Sequence, residues 1–211
     1  MLHNGQFLSV AVTLLAMLVS FIGAPYPFEQ RLQHVPTLFA LIALAWAARR
    51  RLLSDTSFYC ILAFWWLHIF GARWIYSYVP YDDWMEAITE SRASDQFGWS
   101  RNHYDRFVHF GFGVLAVPPL VEILRRSAEI VKPLAMGLAF CIVMTIGGMY
   151  EILEWQVAVW MSPEQAEAYN GQQGDIWDPQ KDMAFNALGA IVSAAIGMVL
   201  SKSRTIEASP S

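Results

Sequence analysis

The chain has 211 residues, 55% of them hydrophobic and 15% charged, whereas a soluble domain carries about 25% charged residues. A net charge of -4, two cysteines and no basic stripe exclude a disordered chain, a disulfide scaffold and a nucleic-acid binder. The few charges are gathered between long uncharged runs, so the chain reads as an all-α, polytopic transmembrane helical bundle held by the lipid bilayer, with no large soluble domain.

Six segments suit a bilayer core that takes roughly 17–25 residues per helix: residues 7–24, 32–48, 57–79, 104–124, 133–160 and 179–201. Together they make residues 1–211 a single integral membrane domain. In lipid such spans are helices, because backbone donors and acceptors must be satisfied internally. The first segment lacks a positive n-region and has too long an apolar run for a signal peptide, so it reads as a retained helix. Cys60 and Cys141 fall inside spans and read as small hydrophobes, not as a disulfide. Pro118-Pro119 should kink or interrupt the fourth span.

Orientation follows from Lys and Arg in short loops. Arg49, Arg50, Arg51, Arg125, Arg126, Lys132, Lys202 and Arg204 share one side, while Arg31, Arg92, Arg101 and Lys181 lie on the other. The richer side is cytoplasmic, which gives N-in and C-in topology. The larger outer loops are then acidic (Asp82, Asp83, Glu86, Glu90, Asp95, Glu164, Glu167) and carry aromatic residues suited to an interface. Two short outer helices are expected. In 82–92, Trp84 and Ile88 share a face, and Ser162-Pro163 with Gln165 forms a capping-box pattern.

Ionisable residues inside a span are costly and mark functional sites. Here they are His68, Arg73, Asp105, Arg106, His109, Glu151, Glu154 and Asp182, with neutral Asn186. At 1.5 Å per residue, Arg73 and Glu154 lie roughly 9 Å below the outer edge, Glu151 roughly 13 Å, His109 about 7 Å and Asn186 about 10 Å. Four spans therefore place their polar residues in one half of the bilayer, above almost purely apolar inner halves. Asp105 and His109 are i,i+4, Glu151 and Glu154 i,i+3, and Asp178, Asp182 and Asn186 are spaced four and four, so each set shares a helix face.

Carboxylates and a histidine presented by several helices suit a divalent metal ion, the candidate cofactor. The candidate ligands are Asp105, His109, Glu151, Glu154, Asp175 and Asp182, and the first four are also the candidate catalytic acid/base groups. Arg73 and Arg106 are the candidates to hold an anionic head group, oriented by Asn186. Plainer roles stand beside these: His68 as a hydrogen-bonded core histidine, Arg106 as a snorkelling side chain, Arg73 as a salt-bridge partner of Glu151 or Glu154, and Asp178 before Pro179 as the N-cap of the last span. No GxSxG, HExxH, Walker A or CxxC motif occurs.

The strings HYDRFVHF (103–110), YEILEW (150–155) and GDIWDPQKDM (174–183), followed by Asn186 and Gly189-Ala190, resemble the YjdF-like family of bacterial inner-membrane proteins, a family of unknown function. The resemblance implies a multi-span protein of the bacterial inner membrane and supplies no activity. Asp182, Asn186 and Gly189 are also similar, over a short segment, to VanZ-type membrane proteins. The residues point to a site on the outer side of the membrane, with metal-assisted chemistry on a lipid-linked or phosphorylated envelope substrate. A transporter using the carboxylates and a structural or accessory subunit are the alternatives.

Overall fold

The computed structural model describes residues 2–207, with side chains from Gly5 to Leu200 apart from Glu164 and Ala168. Lys202 and Arg204, used above for orientation, and Glu164 lie outside the described side chains. The helices among the described residues are α1 (Leu2–Ser20), α2 (Pro27–Arg50), α3 (Asp55–Ala72), α4 (Tyr81–Thr89), α5 (Ala93–Phe97), α6 (Tyr104–Ser127), α7 (Lys132–Trp160), α8 (Pro163–Asn170) and α9 (Asp178–Glu207). The six expected spans correspond to α1, α2, α3, α6, α7 and α9. Of the described helices, α6, α7 and the Asp178–Leu200 part of α9 are long and apolar enough to cross a membrane, while the apolar part of α1, Gly5–Ser20, is shorter.

Large apolar side chains face outward along these helices, among them Phe39, Met149, Trp155 and Val199. A soluble surface rarely shows apolar exposure on this scale, whereas a lipid-facing one requires it. Both outer helices form. Ser162 accepts from the Gln165 N–H at 3.3 Å while the Gln165 side chain accepts from the Ser162 N–H, a complete capping box before Pro163.

α6 is the central helix, packed against α3, α7 and α9, and α1, α2 and α3 form a second group through α3. It runs as one helix through Pro118 and Pro119, without the interruption their sequence suggested. α6 and α9 meet backbone to backbone. A Cβ on Gly113 would lie 2.2 Å from the Asn186 carbonyl oxygen, and one on Gly189 would lie 2.2 Å from that of Phe110. Small residues permit this approach where lipid offers no hydrophobic drive between helices. Below the contact Val117, Ala139, Val143 and Ala190 form an apolar core. At the same end Glu122, overlooked among the ionisable residues, accepts from Ser54 N at 2.8 Å and Ser54 Oγ at 2.5 Å and pairs with Arg126 at 2.6 Å. It ties the start of α3 to α6.

Span boundaries needed correction. α1 stops at Ser20, short of 24, and α2 starts at Pro27, five residues earlier than expected, with proline at its first helical position. The third span is shorter than 57–79: α3 ends at Ala72, and Ile75 (φ 43°) and Tyr76 (φ 59°) take left-handed backbone that no helix accommodates. Arg73 is the C-cap of α3, and its guanidinium donates to the carbonyls of Ser20 at 2.5 Å and Ile22 at 2.9 Å. Both cysteines are free thiols, and Cys141 is exposed rather than buried.

Gly189→Ala should overpack α6 against α9 by about 1–3 kcal/mol, lowering the thermal midpoint of the detergent-solubilised protein. Gly137→Ala, whose Cβ meets nothing within 4 Å, should leave the midpoint unchanged.

Candidate functional site

The ionisable residues divide into two groups. The upper group is a clasp between the outer loops and the helix ends. The Arg101 guanidinium donates to both carboxylate oxygens of Asp178, through Nη1 to Oδ1 and through Nη2 to Oδ2 at 3.0 Å. It also donates to the carbonyls of Gly171 and Gln172, each at 3.2 Å. Arg106 Nη2 donates to Asp175 at 2.6 Å and to Asp178 at 3.1 Å, and the Lys181 ammonium lies 2.6 Å from Asp175. Asp178 is 2% exposed, so charge-assisted bonds are what make its burial tolerable. The Lys181 ammonium, helped by the Trp177 N–H and Arg106 and opposed by desolvation, holds the Asp175 carboxyl at about 2. Burial, and then the neighbouring Arg106 and Arg101, push the His103 imidazole below its ordinary value.

Four roles read from sequence look different in the structure. Asp175 is not placed as a metal ligand, because both its oxygens already accept bonds from cations or backbone. Arg106 neither snorkels nor stands free for a head group; it closes the clasp. Arg73 lies against the α1–α2 turn and pairs with neither Glu151 nor Glu154 among the described contacts. Asp178 opens α9 as a receptor for two arginines, where an N-cap role had been read.

The lower group is Asp105, His109, Glu151, Glu154, Asp182 and Asn186, and here the i,i+4 and i,i+3 spacings do bring side chains from α6, α7 and α9 together. One ligand atom from each of Asp105, His109 and Asp182 lies within 4.8 Å of the other two. His109 Nε2 is 3.5 Å from Asp105 Oδ1 and 3.6 Å from Glu151 Oε1. Among the described residues no lysine or arginine forms an ion pair with these four carboxylates. Asp182 is 2% exposed, and its Oδ1, together with Glu151 Oε1 and Asn186 Oδ1, has no hydrogen-bond partner. Glu154 stands nearby, within electrostatic reach of Glu151, Asp105 and Asp182 and hydrogen-bonded to Tyr150.

Asn186 is fully buried, and its Nδ2 approaches His109 Nδ1 at 3.2 Å. With the amide turned over, Oδ1 would accept a proton from Nδ1 and leave the Nε2 lone pair directed at the carboxylates. A hydrogen bond to the far ring nitrogen in this way presents a histidine to a metal. Asn186 thus contacts His109 directly. Gly147 makes room for it: a Cβ there would stand 2.3 Å from Asn186 Nδ2.

Two cavities meet at this cluster. The outer one, about 560 Å³, is bounded by α7, α9 and the loop after α8 and includes Glu151, Glu154 and Asp182 in its wall. The inner one, about 200 Å³, includes Asp105, His109, His68 and Tyr76. His68 is the hydrogen-bonded core histidine its isolated position suggested. Its Nε2 lies 2.9 Å from the Gln33 carbonyl and therefore carries the proton, so Nδ1 accepts from the Tyr76 hydroxyl. Tyr76 and Arg101 were not singled out from sequence, since an outer-loop arginine and a tyrosine in an apolar run carry no local signal. Gln30, Gln33 and His34, buried on α2, were passed over as well; the first lies before the expected start of the second span.

Arg101→Ala should remove roughly 3 kcal/mol of stability by leaving Asp178 short of its main partner, the low end for a broken buried pair because Arg106 stays in place. Thermal unfolding in detergent would measure it, and Arg101→Lys should recover only part. Asp175 makes a pH-dependent contribution. Its carboxyl is held below the ordinary 3.8, so its stabilisation is complete above that pH and is lost as pH falls to about 2. The deficit of Asp175→Asn at neutral pH should therefore vanish over that interval.

The family described as "Predicted membrane protein (DUF2238)" matches residues 6–203. The inner membrane protein YjdF of Escherichia coli (strain K12) is 30% identical over 187 residues, covering 87% of this chain and 84% of that protein. No solved structure matches the chain. The short VanZ-type likeness around Asp182 adds nothing to this picture. The chain belongs to the DUF2238 family of predicted membrane proteins and is a helical protein of the bacterial inner membrane.

Proposed function

We propose that this protein binds a divalent cation through Asp105, His109 and Asp182 and uses it for chemistry on a lipid-linked or phosphorylated envelope substrate. The observation that carries the reading is the convergence of three donor atoms from α6 and α9 within 4.8 Å, joined by the unpartnered, buried Asp182 Oδ1. Two carboxylates and an imidazole suit Zn²⁺ or Mn²⁺. Ligand distances of about 2.0–2.2 Å require the three side chains to draw together on binding. Glu151 and Glu154, facing the outer cavity, serve as the acid/base pair. With Arg106 closed in the clasp and Arg73 at the α1–α2 turn, recognition of an anionic group falls to the cation, which would polarise a phosphoryl oxygen.

In this reading α1, α2, α3, α6, α7 and α9 all traverse the membrane, both termini face the cytoplasm, and the cluster opens outward. The apolar packing of Val117, Ala139, Val143 and Ala190 beneath it favours a site entered from one side over a transporter's path to the cytoplasm.

The test is metal binding by purified, chelator-stripped protein, followed by calorimetry with Mn²⁺ and Zn²⁺. One equivalent should bind. Asp105→Asn and Asp182→Asn should weaken binding by more than about 100-fold, and Gly147→Ala, which displaces Asn186, by about 10-fold. Asp175→Asn should leave it unchanged. Equal binding by all variants, or none by the native protein, contradicts the proposal.

A further inference from the structure

The wall of the inner cavity is mostly apolar, with polar side chains set into it. Phe64, Trp65, Phe112 and Ile146 are among its apolar lining, and Asp105, His109, His68, Tyr76 and Asn186 among its polar lining. α3 and α7 both pack on α6, and the cavity fills the wedge between them, with Pro36 of α2 at its edge. Its rim lies on the apolar outer surface: Ile146 is 47% exposed, and Phe39 and Met149, on the same two helices as Pro36 and Ile146, are exposed as well. No lysine or arginine lines it. In a membrane such a rim meets hydrocarbon rather than water.

We propose that this cavity seats the hydrocarbon chain of a membrane amphiphile, which enters sideways between α3 and α7 and presents its phosphate to the cation at Asp105, His109 and Asp182. The assignment of the phosphate rests on the metal reading above; the seat of the chain rests on the cavity itself. Three features commit it to a single hydrocarbon chain. The volume, about 200 Å³, is below the roughly 300–1,000 Å³ of ordinary ligand pockets and leaves no room for two chains. Asp105 and His109, two of the cluster's own side chains, stand in the cavity wall, so a chain seated there brings its head group to the cluster. Asp182, Glu151 and Glu154 line the outer cavity, and His109 of the inner cavity lies 3.6 Å from Glu151, so a head group at the cluster faces Glu151 and Glu154. The bond nearest the phosphate then lies between the two cavities.

Burying a methylene is worth about 0.8 kcal/mol, so blocking even part of the cavity has a measurable effect. The probe is dodecyl phosphate carrying a diazirine at the end of its chain, added with Mn²⁺ to the protein in phosphatidylcholine nanodiscs, irradiated, and mapped by peptide mass spectrometry. Label should fall on the segments holding Phe64–Trp65 and Phe112. Ile146→Trp, a change at the exposed rim, should reduce it by about tenfold, the effect of excluding about two methylenes, while Mn²⁺ binding stays native. Val108→Trp, which fills the wall nearer the cluster, is the second blocking variant. Label confined to outward-facing residues such as Phe39 and Trp155, or cavity label undiminished in both variants, overturns the proposal. Cavity label that survives chelation and Asp182→Asn but is lost in Ile146→Trp keeps the chain in its seat and removes the metal reading.

Discussion

A guanidinium buried near lipid must be paired, and the pairing of Arg101 and Arg106 with Asp178 and Asp175 governs the electrostatics of everything beneath it. Arg101 binds both oxygens of Asp178, and Arg106 bridges Asp178 and Asp175. Among the described ion pairs neither arginine reaches Asp105 or Asp182, although both arginines lie within electrostatic reach of Asp105 and Arg106 within reach of Asp182. These two carboxylates are left facing one another across His109, with Glu151 and Glu154 close by. Grouped acidic side chains with so little positive charge are costly without neutralisation. The clasp therefore does two things. It fastens the loops over the helix ends, and it engages both arginines in ion pairs with Asp175 and Asp178 in place of the deeper carboxylates.

The packing of the helices sets the scale of that place. Gly113 and Gly189 bring the α6 and α9 backbones into contact, which carries Asp182 and Asn186 to the face of α6 bearing Asp105 and His109. Gly147 clears the space in which Asn186 reaches the imidazole. A larger residue at any of these positions would separate donors that now lie within 4.8 Å. Beneath them the side chains of Val117, Ala139, Val143 and Ala190 form a buried apolar core. The cluster is thus closed from below by apolar packing.

Much of this was legible in the sequence because it follows from periodicity. Long apolar runs mark the helices. The four-residue spacing of Asp105 with His109, and of Asp182 with Asn186, puts each pair on one face. Counting residues from the expected outer ends places α6, α7 and α9 in register. What spacing could not reveal is pairing across elements. Arg106, next to Asp105 in the chain, is drawn away by Asp175 and Asp178, which are distant in sequence. Arg101 looked like a loop charge until the return of residues 171–178 placed Asp178 under it. Arg73 failed for a local reason: the left-handed backbone at Ile75 and Tyr76 ends α3 early, and nothing in a run of apolar and aromatic residues announces such a turn. The same turn brings Tyr76 to His68.

The central claim is that the deep carboxylates and His109 form a cation site because the arginines are held elsewhere. An anomalous-scattering experiment on crystals soaked in Mn²⁺ tests it most directly. The account predicts one strong peak within coordination distance of Asp105, His109 and Asp182, with Arg101 and Arg106 still on Asp178 and Asp175. A map with no peak there, and with Arg106 turned onto Asp105 or Asp182, would contradict it.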